Sequence, residues 1–167
     1  MFAQRYRPLL EEADHFDLAL KTEVQSSALI LKIIGQSHSL CLTSVLFLTS
    51  VVNRLVNKKQ PLWYHVTKSA QVAMTKYLAV TKTGASFNVN AIELSSFLKY
   101  PIEDYTQTER TWFGLLQKHS PMSEVLVLNQ LADVAAFMIS DAARMLNGQV
   151  ITLDGGTSNI AQEILIG

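Results

Sequence analysis

The sequence predicts an α/β fold on a small parallel sheet, and three observations carry that expectation. Short β-rich runs at residues 44–52, 86–92 and 146–153 alternate with long helix-periodic segments at 14–36, 62–83 and 130–140. Strands separated by helices pair in parallel through crossovers. The first run holds Val45-Leu46-Phe47-Leu48, apolar at every position, as a strand covered on both faces requires. The chain has 167 residues, 49% of them hydrophobic and 17% charged, enough for one core and too apolar for disorder. A single domain over residues 1–167 is therefore expected.

Each element has its own warrant. In 14–36, Phe16, Leu20, Val24, Ser27, Leu31 and Ile34 recur at helical spacing, Asp14 or Asp17 offers a cap, and Gly35 offers a stop. The first strand ends in Thr49-Ser50. The second helix runs to Thr83, where Lys82 and Gly84 form a stop signal. Residues 86–92, Ser-Phe-Asn-Val-Asn-Ala-Ile, read as the second strand. Residues 98–118 are ambiguous and helical in part. A helix at 130–140 precedes Asn147-Gly148, a turn into the third strand, which Asp154-Gly155-Gly156 closes.

Composition excludes several functions. Acidic and basic side chains balance to a formal charge of zero, which argues against nucleic acid and anionic membrane as partners. His15, His38, His65 and His119 are scattered, and Cys41 is the single cysteine, so no metal cluster and no internal disulfide is expected. The most apolar stretches, 28–34 and 40–52, are interrupted and fall short of the roughly 20 residues of a membrane helix. The N-terminus carries no apolar leader. The expected location is cytoplasmic.

The chemistry-bearing residues cluster around the second helix. Tyr64 and Lys68 are four apart and share a helix face. A fixed cation beside a phenol stabilises the phenolate, so such a pair can give or take a proton at a carbonyl or alcohol oxygen. Ser50 stands fourteen residues before Tyr64, at a strand end where a hydroxyl could orient that oxygen. No side chain supplies a hydride, so reduction would need a nicotinamide. Each signal alone also fits a plainer reading: a surface lysine on an amphipathic face, and a serine bonded to its own backbone.

The order narrows the choice. Strand, Ser50, Tyr64-x-x-x-Lys68, strand with Asn90-Ala91-Ile92, then Asp133-Val134-Ala135, Ser140-Asp141, Gly148-Gln149-Val150-Ile151 and Asp154-Gly155-Gly156 resembles the short-chain dehydrogenase/reductase family. The tail from Leu131 to Gly156 is the most specific part. The resemblance implies a Rossmann-like parallel sheet with flanking helices, truncated to about the C-terminal half. It implies Ser50, Tyr64 and Lys68 as the catalytic serine, tyrosine and lysine, and NAD or NADP as cofactor. By the same resemblance Tyr64, Lys68, Leu94 and Phe97 would contact the cofactor, with Lys68 on the nicotinamide ribose. Residues 94–118 would cover a small carbonyl or alcohol substrate, and residues 94–125 would hold the specificity for it. The helices at 14–36 and 62–83 resemble those that join subunits in the family, which implies a homo- or hetero-oligomer.

Departures from the family pattern define an alternative. The family opens with a glycine-rich turn that lets backbone and helix N-terminus approach a pyrophosphate. None of the seven glycines begins such a motif, and the sequence starts near the family's fourth strand. Glu23 occupies the place of an asparagine that helps a proton-relay water in the family. Leu94-Ser95 replaces a Pro-Gly beside the nicotinamide, and the spacing from Ser50 to Tyr64 is slightly long. The alternative is a non-catalytic subunit or pseudoenzyme that assembles with a full-length partner. In an isolated chain the Ser50 strand would also be an open edge.

Overall fold

Asn88–Leu94 forms the middle of the sheet, and from Val89 to Leu94 every residue is buried. A strand so covered needs neighbours on both edges and helices on both faces. The computed structural model, which describes residues 12–36, 44–81 and 87–160, supplies them. Along the chain come α1 (Glu12–Ala19), a π-helical turn (Leu20–Gln25), α2 (Ser26–Gln36), β1 (Ser44–Ser50), α3 (Leu62–Thr81), β2 (Asn88–Leu94), α4 (Gln107–His119), α5 (Leu128–Ile139) and β3 (Val150–Leu153). The strands lie in the order β1-β2-β3, all parallel.

The two sheet faces are covered by different helices. Phe47, Val89 and Ala91 pack with Phe87, with Leu31 of α2 and with Ala79 of α3. On the other side Ile92 and Leu94 pack with Leu131 and Met138 of α5. The Rossmann-like arrangement expected from sequence, a parallel sheet with flanking helices, is therefore present, with three layers around β2.

Asparagines fasten the last crossover to the sheet. Asn90 is fully buried; its amide donates to the Leu146 carbonyl (2.8 Å) and its oxygen accepts from Gln149 N (3.0 Å). Asn147 donates to the Ala79 carbonyl at 2.9 Å and accepts from Val89 N at 3.1 Å. Gly148, at φ +76°, closes the turn by donating to the Val89 carbonyl at 2.7 Å.

Several boundaries differ from expectation. The first helix is not continuous: Ser26 N–H donates to the Lys21 carbonyl, five residues back. Thr22 and Ser27 hydroxyls donate to the carbonyls of Leu18 and Glu23, at 2.8 and 2.9 Å, and Ser26 does the same to Thr22. Such back-bonding competes with the regular ladder and distorts it. Gly35 does not stop the helix, which continues to Gln36. The first strand ends at Ser50, where Val51–Asn53 turns as a 3-10 helix. The second strand is shifted two residues onward, so Glu93 and Leu94 belong to it. The ambiguous stretch resolves into a 3-10 turn, Ile102–Asp104, and α4, which opens with a capping box between Thr106 and Glu109. Gly84, Lys82, Ser86, His38 and Cys41 lie outside the described residues.

Candidate active site

Parallel sheets gather ligands at the carboxyl ends of their strands. Here Ser50 pairs with Leu94 across β1 and β2, and Leu94 with Leu153 across β2 and β3, so the three strand ends form one row. α3 begins close to this row. Thr49 Oγ1 donates to the Lys68 carbonyl at 2.9 Å and pins the first turns of α3 against β1. The connecting loop is tied down too: Asn57 N–H donates to His65 Nε2 at 3.1 Å, and His65 Nδ1 lies 2.9 Å from the Pro61 carbonyl.

Tyr64 and Lys68 come together as their spacing requires. The Lys68 ammonium sits 5.5 Å from the centre of the Tyr64 ring, which also meets Trp63 edge-on. Lys68 does not bond the phenol. Its ammonium lies 2.9 Å from Glu23 Oε2, an ion pair without an aligned hydrogen bond. It donates to Gln71 Oε1 at 3.2 Å and weakly to the Leu48 carbonyl at 3.5 Å.

Ser50 is buried, and its hydroxyl accepts a long 3.5 Å bond from Val52 N. This is the local backbone bond expected of any strand-end serine. Leu94 is buried in the apolar cluster beneath the strand ends, and Phe97 packs against the same cluster. Leu94 and Phe97 therefore sit beside the row with their side chains engaged in packing.

A second polar cluster adjoins the first and was not legible from sequence. Glu93 is 3% exposed, yet carries a carboxylate. Arg54 Nε (2.9 Å) and Thr152 Oγ1 (2.8 Å) donate to it, as does the Asn53 amide, which also donates to the Ser50 carbonyl at 2.8 Å. Arg54 reaches on to Ser158 Oγ at 2.8 Å. Burial alone would raise the Glu93 carboxyl, but the bonds from Arg54, Asn53 and Thr152, with the Arg54 charge, hold it below its ordinary value. Asp154 behaves alike. Burial pushes it up, and Ser158, the Gly156 N–H and the Arg54 charge bring it down further. The cluster joins the loop after Ser50 to the tail after β3. Glu93 falls just after the strand read over residues 86–92 and just before Leu94-Ser95, so nothing local marked it as a buried charge.

Among the described residues no group of three or more His, Cys, Asp or Glu side chains could hold a metal, and no helix is long and apolar enough to cross a membrane.

Comparison with known proteins gives this arrangement a context. The chain matches the family model described as enoyl-(acyl carrier protein) reductase over residues 3–158. It is 25% identical over 157 residues to an NAD-dependent glycerol dehydrogenase of Listeria innocua, covering 89% of this chain and 59% of that protein. It is 27% identical over 95 residues to the NADH-dependent enoyl-[acyl-carrier-protein] reductase of Aquifex aeolicus, covering 54% and 33%. Its backbone superposes on a gluconate 5-dehydrogenase of Burkholderia cenocepacia with a TM-score of 0.70 at 20% identity, over 94% of this chain and 62% of that one. The chain thus spans less than two thirds of the length of each of these proteins.

Proposed function

Because the chain belongs to the short-chain dehydrogenase/reductase family of oxidoreductases, we propose that it forms the proton-handling half of a dehydrogenase/reductase site for a small carbonyl or alcohol substrate. The observation that carries this reading is the Tyr64–Lys68 pair beside the carboxyl ends of three parallel strands. In this reading the Tyr64 phenol gives or takes the proton at the substrate oxygen, Lys68 supports it electrostatically, and the Ser50 hydroxyl orients the same oxygen. Leu94 and Phe97 back the nicotinamide end.

The reaction class implies NAD or NADP. The residues described do not fit that whole cofactor. Among them no glycine-rich turn leads from a strand into a helix N-terminus, and the Lys68 ammonium is already held by Glu23, Gln71 and Leu48. A complete site therefore needs a pyrophosphate grip from residues other than these.

One observation favours the second reading, a non-catalytic subunit or pseudoenzyme of this family that assembles with a full-length partner. Leu29, Ile30 and Ile33 of α2 are each more than half exposed, and Tyr77 and Val80 of α3 are 67% and 85% exposed. Two helices of one face layer thus carry apolar surface suited to a homo- or hetero-oligomer.

The test is turnover with NADH and NADPH against a panel of small ketones and aldehydes, comparing the parent chain with Tyr64→Phe. The first reading expects activity that falls about a hundredfold or more in the variant. Equal rates in both, or no turnover while the chain sediments as a stable oligomer, would replace it with the second.

A further inference from the structure

The Lys68 ammonium has three N–H donors and three acceptors around it: Glu23 at 2.9 Å, Gln71 at 3.2 Å and the Leu48 carbonyl at 3.5 Å. Gln71 is its neighbour on the helix and Leu48 belongs to the adjoining strand. Glu23 is the partner from another helical segment, and it stands within the π-turn. That turn, Leu20–Gln25, inserts an extra residue into the helical repeat where Glu23 stands. The insertion rotates the helix surface, and π-turns recur at functional positions for this reason. The Lys68 side chain is only 14% exposed and that of Glu23 31%, so water screens their attraction poorly.

The geometry points to Glu23 as a positioning residue that fastens Lys68 to the π-turn and withholds its ammonium from any nucleotide ribose and from the Tyr64 phenol. Nucleotide binding through Lys68 then requires the pair to open first. A site whose competent state is rarely populated loses apparent affinity by that fraction. The inference rests on Lys68 belonging to a nucleotide site, as proposed above, and goes beyond it by naming the group that occupies Lys68.

Two readouts separate the inference from that reading. The first is brief acylation of the folded full chain with limiting acetic anhydride, followed by mass spectrometry, with exposed Lys58 and Lys118 as internal references. In the parent chain Lys68 should react about tenfold more slowly than Lys58, because its ammonium is mostly buried against the Glu23 carboxylate and meets the reagent only when the pair opens. Glu23→Gln should raise the Lys68 rate severalfold and leave Lys58 and Lys118 unchanged, while Glu23→Asp should keep it low. A Lys68 rate unchanged by Glu23→Gln would overturn the inference. If neither variant folds, a parent Lys68 as reactive as Lys58 overturns it and a protected Lys68 supports it. The second readout is nicotinamide fluorescence on titration with NADH and NADPH. Binding about tenfold tighter in Glu23→Gln than in the parent would support the withholding role. Equal binding by both would overturn that role. A raised Lys68 rate with no binding by either form would leave Glu23 holding Lys68 and overturn the dehydrogenase reading instead.

Discussion

Glu93 shows how one buried charge is kept. Its side chain is 4% exposed, and Arg54 meets it at 2.9 Å from a position 41% exposed. Removing one partner of a buried charged group leaves the other poorly satisfied, which costs more than the pair contributes. Arg54→Ala should lower stability by about 2 kcal/mol in urea unfolding near neutral pH, with Asn53 and Thr152 limiting the loss. Acid should shrink that difference. Glu93 and Asp154 are both held below their ordinary values, so their stabilisation is complete above the unfolded carboxylate range near about 4 and is lost as pH falls through the folded values. The gap between parent and Arg54→Ala should therefore narrow below about pH 4, and a gap that widened there would contradict the assignment.

Two glycines make opposite predictions at the scale of elements. Gly148 lies between α5 and β3 at φ +76°, and an added Cβ would stand 3.1 Å from Ala79 Cβ on α3. Backbone strain and crowding act together, so Gly148→Ala should cost about 1–3 kcal/mol. Gly114 sits within α4, where an added Cβ meets nothing within 4 Å. Gly114→Ala should stabilise by about 0.5–1 kcal/mol through helix propensity alone. Thermal unfolding of the two variants checks both signs. The turn at Asn147-Gly148 was legible from sequence because its chemistry is local. The π-turn was not, because apolar spacing in residues 14–36 fits an unbroken helix, and the Ser and Thr bonds that distort it leave no mark on that spacing.

Across the whole molecule the sheet is unevenly protected. β2 is covered on both sides, whereas among the described residues β1 pairs with β2 alone, and Leu48 on it is 47% exposed. Open strand edges with apolar side chains template association. Leu48→Lys should reduce light scattering at high protein concentration and leave the unfolding midpoint nearly unchanged, since a half-exposed side chain contributes little to the core. A large fall in midpoint would mean that Leu48 is packed more tightly than its exposure indicates.

The sequence by itself determined the alternation of strands and helices, the turn into β3 and the Tyr64–Lys68 pair, because each depends on residues within a few positions of one another. Helical and strand periodicity, turn chemistry and an i, i+4 spacing survive without knowledge of the fold. It also carried the ordered motifs from Asn90 to Gly156 that resemble the family. Only the tertiary structure decided the company these residues keep. Asn90 reads as a polar interruption in a strand until Leu146 and Gln149 are found against it. Arg54 and Glu93 come from separate elements, as do Glu23 and Lys68, and nothing local specifies either pairing. Ion pairs between distant segments depend on where packing puts the helices and strands, and a charge written in one dimension does not name its partner.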